Sequence, residues 1–473
     1  MAIEHLPKGV LGFWGIVFLS VIAIFPGNIY IVSSITALTY AGEAAPLTFV
    51  LGTLLMFFNV IATYIFTTKV VNAGGFYKFV QKGTNNSVIS RTIAWDQFIA
   101  QMSPVVIYSF IFGWLIPLTA STLFNVTPPA FISFVASVLV IIFVFAVSYF
   151  GIKVSAVISL IIGAAQLIFI GAAGILIVIH SHYNTLGTFN IANSSGGISG
   201  FFIGMVVGPL ASYIGYSSVV HFSEEAKFSK NTMKKAIITA ILMSGIFETF
   251  VMYAVSVSVP TSGLAALAGT YAPALLETAK YVGVGFAFTV LIIVFAGLVA
   301  SPLTFGNAAE RVLYSLSRDN VLPKSLSKIH PKYGSPSRAS MVMLVFALAA
   351  ALVTEVPLVL RYGVLTGFFY SILLWATVLT TTNMIYHVAV NQSLAFLMHR
   401  LKELSVLKHI VGPTVGSIFI FIILYYTYLG IAFPLVLAAP IVVIWLLIGL
   451  FISYRKRGVP LMESDVEQIP SPT

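Results

Sequence analysis

Long apolar runs separated by short polar segments repeat along the whole chain. Twelve can be drawn, near 11–38, 46–70, 95–123, 129–149, 154–180, 199–221, 236–258, 283–310, 339–357, 364–389, 410–430 and 433–453. Each approaches or exceeds the roughly 20 residues that a helix needs to cross a bilayer. The longer runs must tilt, kink or continue outside the hydrocarbon. The pattern predicts an all-α polytopic membrane protein with twelve transmembrane helices.

Two of these runs carry an interruption. In the first, Pro26-Gly27-Asn28 falls within Ala23–Ser34 (AIFPGNIYIVSS). Proline removes a backbone donor and glycine relaxes the chain, so a helix unwinds there. Unwound backbone at membrane depth is tolerated only where protein buries it or a polar cavity receives it. The sixth run is interrupted by Gly208-Pro209 and the polar stretch Ser212–Ser217. The breaks come at similar depths in runs of opposite direction. That predicts two five-helix repeats of inverted topology, residues 1–180 and 199–390, followed by two further helices in 391–453 and a flexible cytoplasmic tail, 454–473. Paired interrupted spans of this kind mark a transport site.

Composition agrees with the pattern. Of 473 residues, 59% are hydrophobic and only 8% charged, against roughly a quarter charged in soluble domains. Without cysteine there are no disulfides, thiolate metal sites or cysteine catalysis. The net charge of +10 would fit nucleic acid, but its placement is topological. With the N-terminus inside, every one of the 24 basic residues falls in an inner segment except Lys280 and Arg361. Twelve spans with both ends cytoplasmic satisfy this rule, and no nucleic-acid partner is expected. MAIEHLPKG precedes an apolar run too long for a signal peptide, so the first run is read as a retained helix. The alanine-rich outer loop near 260–281 is either a short lid helix or a simple connector.

Four segments in order carry a family resemblance over roughly residues 10–390. Asn72-Ala73-Gly74-Gly75-Phe76-Tyr77-Lys78 resembles an A-G-G-x-Y motif, and Phe150-Gly151-Ile152-Lys153-Val154-Ser155-Ala156 resembles G-V-K-x-S-A. Phe222-Ser223-Glu224-Glu225-Ala226-Lys227 is similar to an E-E-x-K turn. Arg311-Val312-Leu313-Tyr314, Ser317-Arg318-Asp319-Asn320, Leu322-Pro323 and Ser335-Pro336 resemble R-V-L-Y-x-x-x-R-D-G-x-x-P and a downstream T-P. Together these strings look like the amino acid–polyamine–organocation (APC) superfamily of permeases. There are departures. Gly27-Asn28-Ile29 stands where the family reads G-S/T-G, and the E-E-x-K turn lacks its following proline. Gln166 stands where some proton-coupled relatives carry a lysine. A neutral amide does not titrate, so that coupling mechanism is not carried over.

The resemblance implies a LeuT-like fold holding an amino acid between the breaks. Independently, a half-helix N-terminus suits a carboxylate and free carbonyls suit an ammonium. The substrate candidates are therefore Pro26, Gly27, Asn28, Ile29 and Tyr30 around the carboxylate. Ser212, Tyr213, Ile214 and Gly215 would surround the ammonium, with Ser33 and Ser34 as further donors. Tyr216 and Tyr213 are gate candidates, as is Tyr108, for which plain packing is the preferred reading. Glu248, midway along the seventh run, costs about 2.5–3.5 kcal/mol to insert as a charge. It is read as a proton-coupling carboxyl or a wall of the substrate path; the alternative is a protonated residue bonding a neighbouring helix. Gln166, Ser301 and Thr304 complete the ion-coupling candidates, the last two flanking Pro302 where sodium-coupled relatives place hydroxyl ligands. Asp96, Gln97 and Gln101 are read as an interfacial network, and Glu310-Arg311 as a local pair.

No cofactor is expected beyond a coupling H⁺ or Na⁺. His180 and His182 lack a third metal ligand. No P-loop or catalytic serine–histidine arrangement is present in the sequence, so the chain is not expected to be an enzyme. The expected function is a secondary-active amino acid permease of the plasma membrane, working by alternating access. Its partners are a small-molecule substrate and the bilayer, with a homodimer left open. The alternatives are a carrier of organic amines or other polar solutes, and a non-transporting sensor or channel on the same fold.

Overall fold

A computed structural model describes residues 5–227, 229–270 and 272–460. The end of the polar tail, 461–473, lies outside the described residues. Twelve helices among these residues are long and apolar enough to cross a membrane. They are Phe13–Tyr30, Ala45–Lys69, Ser87–Ser121, Ala130–Tyr149, Ile152–His180, Gly197–Phe222, Thr232–Ser256, Val284–Arg318, Ser337–Tyr362, Val364–Arg400, Leu407–Tyr428 and Leu435–Arg455. The fold is the all-α, polytopic one that the hydropathy pattern predicts.

Several helices outrun their apolar stretches. The third begins at Ser87 rather than near 95, because the Asn86 side chain caps it, accepting from the Val88 and Ile89 amides at 3.0 Å each. The eighth continues to Arg318 and the tenth to Arg400. These extensions carry polar residues beyond the hydrocarbon, so hydropathy alone misses them.

Burial shows the layering. The third span is the most enclosed and the twelfth the least. Large apolar side chains such as Ile168, Ile179, Val353, Phe421, Leu447 and Phe451 are exposed on the outer spans. In water such a surface would be a liability; facing lipid tails it is the expected one. Many serines, threonines and asparagines, and some charged groups such as Asp96, Glu225 and Arg311, lie inside instead.

The first and sixth spans are both remodelled. The first helix stops at Ile24, and Phe25 takes a left-handed conformation with φ of 62°. For an aromatic residue this costs on the order of 1–3 kcal/mol, a strain that persists only where surrounding structure imposes it. A tight 3₁₀ turn follows over Pro26–Tyr30, and a second helix begins at Ser33 and runs to Ala41. The sixth span widens into a π turn over Val206–Leu210, which accommodates Pro209, and then tightens into a 3₁₀ segment over Ile214–Phe222. The two remodelled spans cross at Gly215. A Cβ there would lie 2.4 Å from the carbonyl carbon and oxygen of Ala23, so only glycine permits this backbone contact.

Candidate functional site

The break of the first span is held by its neighbours. Gly27 N–H donates to Gln166 Oε1 of the fifth span at 3.2 Å, and Gln166 Nε2 donates to the Ile293 carbonyl of the eighth at 3.4 Å. A Cβ on Gly297 would overlap this amide, at 1.9 Å from Nε2. Asn28 N–H donates to the Phe25 carbonyl at 2.8 Å, and the Asn28 carbonyl accepts from Ile31 and Val32 at 3.0 and 2.9 Å. The amides expected to stand open at Gly27 and Asn28 are therefore engaged. The open turn belongs to the half-helix starting at Ser33, which has no side-chain cap.

Asn28 reaches across to the sixth span. Its Nδ2 donates to Ser33 Oγ at 2.8 Å and to Ser212 Oγ at 2.9 Å, and the two serine hydroxyls are 3.3 Å apart. Asn28 is half-buried, while Pro26, Gly27, Ile29 and Tyr30 are buried. Asn28, Ser33 and Ser212 thus form one polar cluster joining the two breaks. The Tyr213 hydroxyl turns to the second span, where its oxygen accepts from Thr53 Oγ1 at 2.9 Å. Thr53 gave no signal in the sequence that set it apart from other mid-span threonines. The side chain of Ile214 lies outside the described residues.

The remaining candidates fall around this cluster. Tyr108 is half-buried and packs edge-on against Phe25, with ring centroids 5.4 Å apart. Ser301 Oγ approaches the Tyr108 hydroxyl but makes no hydrogen bond of acceptable geometry. Thr304 Oγ1 donates to the Leu19 carbonyl of the first span at 3.1 Å. Glu248 is 2% exposed and neither carboxylate oxygen has a hydrogen-bond partner.

Most of the lysines and arginines lie in the segments joining the spans on one face, the basic face. Between it and the breaks lies a thick polar layer. Tyr216 meets His387 Nε2 at 2.8 Å, Ser217 meets the Tyr386 hydroxyl at 2.9 Å, and Ser218 donates to Gln101 Oε1 at 2.8 Å. Gln97 bonds both His221 Nε2, at 2.8 Å, and the Tyr77 amide, at 3.1 Å. Gln97 and Gln101 thus belong to an interior network rather than an interfacial one.

Nearer the basic face are three ion pairs: Lys78–Asp319 at 2.8 Å, Arg311–Glu225 at 2.6 Å and Arg318–Glu224 at 2.7 Å. Burial pulls the Lys78 ammonium pKa down against the opposing field of Asp319, and pushes the Glu225 carboxyl up against that of Arg311. The local Glu310–Arg311 pair expected from sequence does not form. Adjacent helical residues point about 100° apart, and Arg311 is directed to Glu225. The Ala73 amide donates to Glu224 at 2.8 Å and Asn307 Nδ2 donates to Ser155 Oγ at 3.0 Å. All four sequence motifs therefore meet through this layer. Strand-like bonds between Leu11 and the Glu225–Lys227 segment close it, at 3.0 and 2.8 Å.

The profile of the family described as amino acid permease matches residues 11–453. The chain belongs to the amino acid permease family. The permease is 26% identical over 391 residues to the branched-chain amino acid permease BcaP of Bacillus subtilis (strain 168), covering 76% of this chain and 79% of that one. It is 30% identical over 181 residues to the BcaP of Lactococcus lactis subsp. cremoris, covering 38% and 36%. To the low-affinity putrescine importer PlaP of Escherichia coli (strain K12) it is 26% identical over 290 residues, covering 59% and 60%.

On the face opposite the basic one, the permease is closed more lightly. The 260–281 loop contains helices Leu264–Ala268 and Pro273–Tyr281, and Thr278 Oγ1 meets the Tyr30 hydroxyl at 3.0 Å. Thr278 is a contact no sequence pattern singled out. Beside it is a cavity of about 290 Å³, lined by Tyr30, Ile31, Leu115, Leu275, Leu291 and Val294 among others. The loop thus lies over the first break instead of running clear of it.

Proposed function

We propose that this permease is a secondary-active carrier of the plasma membrane that moves an amino acid or a related amine by alternating access. An H⁺ or Na⁺ gradient drives it, and both termini are cytoplasmic, as the basic loops favour. Residues 1–180 and 199–390 act as two inverted repeats, with 391–453 outside them. The observation that carries this reading is the 2.9 Å bond from Asn28 to Ser212, which joins two interrupted spans at membrane depth. Polar backbone and side chains at that depth serve a solute. The closures suit a carrier: buried ion pairs toward the basic face, neutral contacts such as Tyr30–Thr278 toward the other.

Purified protein in liposomes, given labelled amino acids and putrescine under imposed H⁺ or Na⁺ gradients, tests this. Saturable accumulation against a concentration gradient and counterflow are expected. Non-saturating flux would indicate a channel, and binding without flux a sensor; either would overturn the carrier reading.

A further inference from the structure

On the basic face, the start of the third span and the end of the twelfth meet around a polar cavity of about 320 Å³. Lys82, Asn85, Ser87, Arg457 and the segment 458–460 line it. Its volume lies at the lower end of the roughly 300–1,000 Å³ of small-molecule sites. Its walls are fixed from behind. Arg91 is fully buried and donates from Nη1 and Nη2 to the Lys456 and Val459 carbonyls. The Ser87 hydroxyl donates to the Arg457 carbonyl at 3.5 Å, and Arg400 donates to the Lys82 carbonyl.

The charge of the cavity is unbalanced. No aspartate or glutamate occurs from residue 44 to 95 or from 404 to 462, the stretches that build it. Among the described residues, neither Lys82 nor Arg457 has an ion-pair partner, and Glu403 is taken by Lys69 at 2.7 Å. Ammonium, guanidinium, amide and hydroxyl donors around one cavity suit a phosphate, which arginine can hold with two N–H groups at once.

Beside the cavity the surface is apolar. The twelfth span is the least enclosed of all, and Phe451 and Tyr454, one turn apart on the same face, are exposed. The Arg457 guanidinium lies over the Tyr454 ring at 4.3 Å, so this aromatic stripe ends at the cation of the cavity. Ile89, two residues beyond Ser87, is exposed on the third span. A free phosphate would use only the cavity. A phospholipid uses both parts, its headgroup among the donors and its acyl chains along the stripe.

We propose that this cavity holds the phosphodiester headgroup of an anionic phospholipid, of the phosphatidylglycerol type, between Lys82 and Arg457. The lipid bridges the helix Phe76–Thr84, the start of the third span and the end of the twelfth.

The test titrates the full chain in detergent with fluorescently labelled phosphatidylglycerol. Unlabelled phosphatidylglycerol, phosphatidylcholine and inorganic phosphate serve as competitors. Phosphatidylglycerol should compete at least tenfold better than either of the others. Lys82→Gln/Arg457→Gln should weaken binding at least tenfold. Lys324→Gln/Lys328→Gln removes the same charge from exposed positions that do not line the cavity, and should stay within twofold of wild type. If the first pair is not monodisperse on gel filtration, Lys82→Gln alone takes its place, with at least a threefold loss expected. Phosphatidylcholine or phosphate competing as well as phosphatidylglycerol would overturn the proposal. Equal losses in the two pairs would do so too, because the attraction would then be diffuse. The tail beyond the cavity carries Glu463, Asp465 and Glu467. Neutralising them as Glu463→Gln/Asp465→Asn/Glu467→Gln should leave the affinity within threefold; binding that emerges only in this variant would assign the cavity to the tail and overturn the lipid. The carrier reading is tested by flux and stands or falls separately.

Discussion

Gln166 Oε1 accepts a hydrogen bond from the Gly27 amide at 3.2 Å, and its Nε2 donates one to the Ile293 carbonyl at 3.4 Å. One neutral side chain, both acceptor and donor, thereby ties the break of the first span to the eighth. A lysine at this position has donors only and cannot accept the Gly27 proton. Gln166→Glu keeps the acceptor, Gln166→Lys does not, and Gln166→Ala has neither. Leaving a buried amide unpaired costs about 1–3 kcal/mol. Uptake and thermal stability in detergent should fall in the order wild type, Glu, then Lys or Ala. A lysine variant as active and stable as the wild type would refute the tie.

Gly215→Ala sets a Cβ against the Ala23 carbonyl, which has no flexible end to move aside. Overpacking typically costs about 1–3 kcal/mol, and here it also separates the two breaks. Gly285→Ala is the control, because a Cβ there meets nothing within 4 Å. It should leave stability unchanged or raise it by up to about 1 kcal/mol, as alanine does in helices. Melting curves of the two variants should separate clearly; coincident curves would mean that the crossing tolerates slack.

Arg311 and Glu225 are each 1% exposed and bonded to each other. Removing one member of such a pair strands a buried charge, at a cost of about 3–5 kcal/mol, whereas replacing both is far milder. Arg311→Met should therefore destabilise the protein more than the double variant Arg311→Met/Glu225→Leu. The native chain has no cysteine, so Ser218→Cys gives a single labelling position behind this layer. Its reaction with a membrane-impermeant maleimide should accelerate in Arg311→Met. Equal rates with and without the pair would remove the layer from the closing machinery.

Tyr30→Phe deletes the hydroxyl that meets Thr278 while keeping the ring. A single neutral hydrogen bond contributes about 0.5–1.5 kcal/mol, roughly a two- to tenfold change in an equilibrium. Cysteine placed at Thr119, in the wall of the neighbouring cavity, should label faster by about that factor. Thr278→Val should produce the same acceleration. If neither substitution changes the rate, the loop helix is not held by this contact.

The span count was legible because crossing hydrocarbon demands a long apolar stretch, and the Pro26-Gly27 break because those residues oppose a helix. Other features depend on partners far away in sequence. Whether Gly27 N–H stands open is decided by Gln166, 139 residues distant. Lys78 lies outside the apolar runs, in the short helix Phe76–Thr84, yet it is buried because it meets Asp319, 241 residues later. Arg311 chose a partner across the fold over its neighbour because helix geometry turned it that way. The polar cluster of Asn28, Ser33 and Ser212 was named residue by residue, but its bonding scheme required the crossing at Gly215.

That crossing has a further consequence. Since backbone meets backbone at Ala23 and Gly215, the separation of the two breaks is set by atomic radii and not by adjustable side chains. The site behaves as a ruler of fixed length. Substitutions lining it can retune polarity or bulk, but the spacing of the two breaks at this crossing is dictated by the backbone itself.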